Sequence, residues 1–361
     1  NLLTGLPTHV LENAKQLASL HQQTGYRFGL DSPTVQAVLT HACNRELRAL
    51  FYQAYTTRAS DQGPLSEQFD NSPVMVEMLN LQAEKARILG FPHYAALSLK
   101  TKMAQSVDQV MPFLEDLLRR ARPQALQEFA ELTQFAKELE GRKSLESWDV
   151  GYYSERMQEK LFSISQEALR PYFPISKVFS GLFEVAKTLF KVCFREEPAA
   201  VWHQDVRYFS VETEERKIIG GLYVDLYARS NKRGGAWMDD YDRYARVGEK
   251  SARPVVFLTC NFMPPALDQE ALLTHDDVVT LFHEFGHCIH HLFSKVEVPS
   301  VSGIHGVEWD AVELPSQLME NFCWQKEIIP LLSQHVETGA PLPQAWLASL
   351  MASRCFQSAM Q

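Results

Sequence analysis

Two histidines four residues apart, with a glutamate directly after the first, stand in the run Phe282-His283-Glu284-Phe285-Gly286-His287. On an α-helix, positions four apart differ by about 40° around the axis, so the imidazoles of His283 and His287 can converge on one ion at about 2.0–2.1 Å. Glu284 falls to the side of that line, where it can take a proton from an ion-bound water without becoming a ligand. A zinc ion held there would lower the pKa of its water towards about 7 and polarise an amide carbonyl. The expected chemistry is peptide-bond hydrolysis, and the expected cofactor is one Zn2+ per chain. The same spacing also arises by chance, so context decides. The motif sits in an apolar helix, and Gly286 is a poor helix former, costing about 1 kcal/mol relative to Ala, which implies close backbone packing at that point.

A catalytic zinc needs a third protein ligand and an open position. A third histidine on the same segment, preceded by a glycine, is excluded, because the relevant positions hold Phe293 and His290. The remaining choice is a downstream carboxylate from Glu297, Glu308, Asp310, Glu313 and Glu320. Glu297 belongs to the exit of the first helix. Glu313 is the best ligand, since Leu314-Pro315-Ser316 opens a new helix and proline is tolerated in a first turn. Glu320 and Asp310 are each either a partner for the second nitrogen of a ligand histidine or a surface charge. His290 is expected in the core or behind the ligands. His305, in a glycine-rich loop, either contacts substrate or belongs to the loop alone, and Cys288 is expected to be a buried thiol.

The elements that carry these residues follow from pattern. From Pro7 to Glu140 apolar residues recur at helical spacing, as in Val110, Phe113, Leu114, Leu117 and Leu118. Start signals at Ser32-Pro33 and at Pro123 predict several medium helices rather than one long rod. A polar loop is expected over Gly141 to Trp148, and helix again over Tyr152 to Phe194, broken at Pro171 and Pro174. Strands are predicted at Val206 to Val211, Ile218 to Tyr227 and Val255 to Cys260, with a turn over Glu212 to Lys217. The stretch Val255 to Asn261 is either a sheet edge that receives an extended substrate or a plain core strand. Thr274-His275-Asp276-Asp277 reads as the cap of the helix that bears His283 and His287. The fold class is mainly α, with a small β-sheet beside the zinc-site helix.

Bulk properties narrow the partners. The 361 residues are 45% hydrophobic and 22% charged, enough to build a sizeable core. The apolar runs are far shorter than the roughly 20 residues a bilayer span needs, so no membrane partner is expected. A net charge of −9 with no basic stripe argues against nucleic acid, and Arg119-Arg120-Ala121-Arg122 reads as a solvated helix face. Six widely separated cysteines fit a reducing compartment. The sequence opens on Asn1 with no charged-then-apolar leader in view, and no targeting signal is expected.

Ordered stretches along nearly the whole chain resemble the thimet-oligopeptidase family of metallopeptidases, most closely its oligopeptidase A branch. They are Asn44 to Arg48 with Tyr55 to Ser60, Trp148-Asp149 with Tyr152 to Glu155, Tyr172-Phe173-Pro174, Asp225 to Arg229, Lys232 to Trp237, Phe282 to His287 and Trp309 to Asn321. The resemblance implies a multi-helical, elongated, monomeric cytoplasmic endopeptidase, with His283, His287 and Glu313 holding zinc and Glu284 as general base. It implies short unstructured peptides as substrates, including protease fragments and cleaved signal peptides, admitted by a narrow channel. Residues 1–200 would form a helical lobe lining that channel, and residues 201–361 the catalytic part. Similar proteins are longer at both ends. Their C-terminal part carries a histidine and a Gly-Tyr-rich loop whose tyrosines stabilise the oxyanion, a contribution of about 10²–10³ in rate. A catalytically impaired or non-catalytic peptide-binding scaffold is the alternative function for a chain without that loop.

Overall fold

The structure, a computed structural model, describes residues 2–63, 65–248, 250–265 and 269–360. Its first half is helical: α1 (Thr8–Leu20), α2 (Ser32–His41), α3 (Arg45–Thr56), α4 (Ser66–Phe69), α5 (Ser72–Ile88), α6 (Tyr94–Leu99), α7 (Val107–Glu140), α8 (Ser147–Phe162), α9 (Gln166–Leu169) and α10 (Ile175–Phe190). Short polar side chains start several of them. Asp31 accepts from the Thr34 amide at 3.0 Å ahead of α2, and Asn44 from the Leu47 amide at 2.8 Å ahead of α3.

The long rod that the proline signals argued against is present. Helix α7 runs 34 residues with Pro112 and Pro123 inside it. Proline removes one intrahelical bond and leaves the carbonyl four residues earlier without its donor. Arg119 and the residues around it are exposed, so water can serve that carbonyl and the helix continues.

The sheet begins sooner than the sequence pattern indicated. Lys191 takes a left-handed conformation (φ 59°) and ends α10, and β1 (Val192–Glu196) follows where helix was expected as far as Phe194. β2 (Arg207–Thr213) and β3 (Ile218–Tyr227) form the expected antiparallel pair. β4 (Trp237–Asp242), β5 (Ala245–Val247), β6 (Lys250–Ala252) and β7 (Val255–Phe262) complete the strands. The main sheet has the order β1-β2-β3-β7-β4, with β7 parallel to β3 and antiparallel to β4. The stretch Val255 to Asn261 is therefore an interior strand, and the sheet edges are β1 and β4. Strand β4 was missed because Asp239, Asp240 and Asp242 break its apolar alternation.

One sheet face, carrying Leu222, Val224, Val256 and Leu258, is buried in the main core together with α10 and with α11 (His275–Leu292). Helices α12 (Leu314–Glu320), α13 (Ile329–Leu332) and α14 (Gln344–Ser353) close the same core through Met319, Ile329 and Leu350. Two smaller clusters lie under α2–α3 and α7–α8. Between them sits a buried ionic knot in which Asp149 accepts from Arg45 at 2.7 Å and from Arg48 at 3.0 Å. The Tyr152 ring is stacked between Arg48 and Arg156, whose guanidinium carbons lie 3.9 and 3.5 Å from its centroid. Among the described residues no helix is long and apolar enough to cross a membrane.

Candidate metal centre

Helix α11 starts as its sequence dictates. The Asp277 amide donates to Thr274 Oγ1 at 3.0 Å and the Thr274 amide to Asp277 Oδ2 at 2.9 Å, a reciprocal cap that fixes the register of the helix. Val278, Leu281, Phe282 and Phe285 are buried against the sheet, which leaves His283 and His287 on the opposite face. Helix α12 crosses α11 at Gly286. A Cβ at that glycine would lie 2.6 Å from Ser316 Cα and 2.7 Å from Pro315 O, so the absent side chain lets the two backbones meet. Glu313 is the cap residue of α12, with Pro315 the second residue of the helix, and this contact delivers its carboxylate to the histidines.

The three predicted ligands come together. Glu313 Oε2 lies 3.1 Å from His283 Nε2 and 3.0 Å from His287 Nε2. Donor atoms about 2.0–2.1 Å from one ion at tetrahedral angles are separated by about 3.3 Å, close to these spacings. His283 Nδ1 lies 2.6 Å from Glu320 Oε1. Since a carboxylate only accepts, this contact puts the imidazole proton on Nδ1 and turns the Nε2 lone pair towards Glu313. The lone pair of His283 then faces the Glu313 carboxylate, a contact that a shared cation resolves, while the buried Nδ1 of His287 has no hydrogen-bond partner among the described residues. An N, N, O donor set of this kind suits zinc. Among the described residues these three are the one His/Cys/Asp/Glu group close enough to hold an ion.

Glu284 is buried next to His283 and outside the group of three predicted ligands. Burial pushes its carboxyl up to about 7, with His283 pulling it down and the Glu313 carboxylate pushing it further up. Burial also lowers the pKa of His287, against the pull of Glu313, which favours the neutral imidazole that a metal requires. Ser316 was not foreseen. Its hydroxyl donates to Glu313 Oε2 at 2.9 Å and to the Glu313 carbonyl at 2.8 Å, which orients the carboxylate. Its position three residues after Glu313, in a first helical turn, was the available signal.

The other sequence candidates are placed elsewhere. Asp310 does not reach a histidine; its carboxylate accepts from the Met103 and Ala104 amides at 2.9 and 3.0 Å, tying the α6–α7 connection to the segment before Glu313. Glu297 pairs with Arg246 at the surface, and Glu308 is exposed. His290 faces a cavity of about 470 Å³ between α11 and α12. His305 Nε2 lies 2.8 Å from Asp240 Oδ1 and so joins the loop ahead of Glu313 to edge strand β4. Cys288 is fully buried, and burial raises its thiol well above the ordinary value.

A mainly α protein with two helical histidines and a following helix-cap glutamate around one point has the architecture of a metallopeptidase core. Residues 38–361 match the family model for peptidase family M3, and the chain belongs to that family. It is 49% identical to oligopeptidase A of Salmonella typhimurium over 360 residues, covering 99% of this chain and 53% of that protein. It is 40% identical to the probable cytosolic oligopeptidase A of Arabidopsis thaliana over 338 residues, covering 91% and 47%. Against the dipeptidyl carboxypeptidase of Escherichia coli the identity is 31% over 312 residues, covering 86% and 45%. The chain spans about half the length of the curated relatives it matches. The oligopeptidase A resemblance read from the motifs is borne out.

Proposed function

We propose that this chain carries the zinc-binding core of a cytoplasmic, monomeric endopeptidase that hydrolyses short unstructured peptides, including protease fragments and cleaved signal peptides. The observation that carries the reading is the convergence of His283 Nε2, His287 Nε2 and Glu313 Oε2 beside the buried carboxyl of Glu284. When bound, zinc supplies Lewis-acid activation of water and of the scissile carbonyl. The protein's own side chains do the rest. His283 and His287 hold the ion through Nε2, Glu320 fixes the tautomer of His283, and Ser316 fixes the carboxylate of Glu313. Glu284 takes a proton from the attacking water at its carboxylate and delivers it to the departing amide nitrogen. Residues 1–200 act as the helical wall of a substrate channel, and residues 201–361 as the catalytic part. The six free cysteines support a reducing setting, and one relative is named a probable cytosolic oligopeptidase A while another is named organellar.

Incubation of the protein with a short quenched peptide, with and without a chelator, tests the reading by mass spectrometry. Cleavage that a chelator abolishes is expected, and the Glu284→Gln protein should retain its metal while losing activity. Peptide bound but never cut, with metal present, would mark a binding scaffold instead.

A further inference from the structure

The sheet has a second face, away from α11. Tyr223, Asp225, Phe257 and Thr259 alternate along β3 and β7 with the residues that enter the core. On this face, where edge strand β4 begins, lies a cavity of about 550 Å³, within the range of small-ligand sites. Its walls are aromatic. Trp202 packs edge-on against Phe257 at 5.4 Å, and Trp237 closes the β4 side.

The floor is a saturated carboxylate. Asp225, only 4% exposed, accepts from both terminal nitrogens of Arg229 at 2.7 Å, from Lys232 Nζ at 2.8 Å and from Trp202 Nε1 at 2.9 Å. Two cations are thus fixed in place by a single anion. Arg233 adds a third. Its guanidinium lies 5.9 Å over the Trp237 ring and makes no side-chain hydrogen bond or ion pair among the described residues. The pocket holds Arg229, Lys232 and Arg233 against Asp225 and Asp239, a surplus of one positive charge. Asn261 donates from its side-chain amide to the Arg233 and Gly235 carbonyls at 2.8 and 2.6 Å, so the loop bearing the free guanidinium is anchored.

We propose that this pocket binds a carboxylate carried on a peptide, with Arg233 as the recognising cation and Trp202, Trp237 and Phe257 packing the adjacent apolar side chain. The proposal rests on the reading that peptides are this protein's ligands. Asp239 is the counterweight, because its carboxylate faces the same space and repels an acid. The site lies on the opposite side of the sheet from the zinc ligands. It shares β4 with them, since Asp240, three residues beyond Trp237, is tied to the loop before Glu313.

The test is peptide binding, read by tryptophan fluorescence in the full chain carrying Glu284→Gln so that nothing is consumed. Four probes separate the sources of the carboxylate: N-acetyl-Ala-Ala-Phe as the free acid and as the amide, and N-acetyl-Ala-Ala-Phe-Glu-amide and its Gln counterpart. The acid of at least one pair should bind more tightly, and that pair names a chain terminus or a side chain as the ligand. Arg233→Gln should weaken the acid about tenfold and leave its neutral partner unchanged. Asp239→Asn should tighten the acid about two- to fivefold. Equal affinity of acid and neutral probes, or an acid preference that survives Arg233→Gln, overturns the pocket. Chelator-sensitive cleavage by the unmodified protein reports separately on the peptidase reading.

Discussion

The carboxylate of Glu320, which ligates nothing, sets the chemistry of His283. Its Oε1 lies 2.6 Å from His283 Nδ1, which places the imidazole proton there and turns the Nε2 lone pair towards Glu313 and the proposed ion position. Glu320→Ala should leave the fold intact and weaken zinc binding about 10–100-fold, as loss of such supporting bonds does elsewhere. Competition titration against a chromogenic chelator measures this, and unchanged affinity would remove Glu320 from the site. At this scale the sequence was most legible where backbone geometry alone constrains the side chains. His283, Glu284 and His287 share one helix, and their relation follows from 100° per residue. Glu313 was legible because Pro315 marks a helix start. The partners of Glu320 and Asp310 were not separable in advance, since both are acids near the second helix. What divides them is whether α11 or the α6–α7 connection lies opposite.

Helix against helix, the site depends on the approach of α11 to α12 at Gly286. Gly286→Ala places a methyl group 2.6 Å from Ser316 Cα, and backbone cannot swing aside as a side-chain end can. The helices must part, at a cost of about 1–3 kcal/mol, and Glu313 moves with α12. Thermal unfolding and zinc titration should therefore both suffer, whereas a variant as stable and as tight as the unmodified protein would show that the contact is slack. The pattern of elements was readable where one rule dominated: the Thr274 cap, the β2–β3 hairpin and the helical first half all stand. It failed where neighbours override local chemistry. Pro123 reads as a helix start until exposure supplies water to the freed carbonyl. β4, with its three aspartates, is a strand because β7 offers it a partner.

Across the whole molecule, the helical half meets the start of α11 through Gln166 of α9, which accepts from the His275 amide at 3.1 Å, and Glu155 lies beside that junction. This α8 residue is 7% exposed, and its Oε1 has no hydrogen-bond partner among the described residues. Its carboxyl is pushed up to about 7, first by burial and then by Glu159, Glu167 of α9 and Asp276 of α11, against a bond from the Gln166 amide. A carboxyl raised from 4.5 to about 7 on folding contributes stability below pH 4.5 that is lost as pH climbs to 7. Glu155→Gln imitates the protonated form. It should leave stability unchanged near pH 4 and raise it by up to about 3 kcal/mol at pH 8 in denaturant titrations. An equal effect at both pH values would show that the carboxyl is not strained. Helices α11 and α12 must hold two imidazoles and one carboxylate around a single ion, and that claim has a direct measurement. Anomalous diffraction at the zinc edge from crystals of the zinc-loaded protein should place one ion per chain within about 2.0–2.2 Å of His283 Nε2, His287 Nε2 and a Glu313 oxygen. An ion bound elsewhere, or one that leaves Glu313 uncoordinated, would contradict the account.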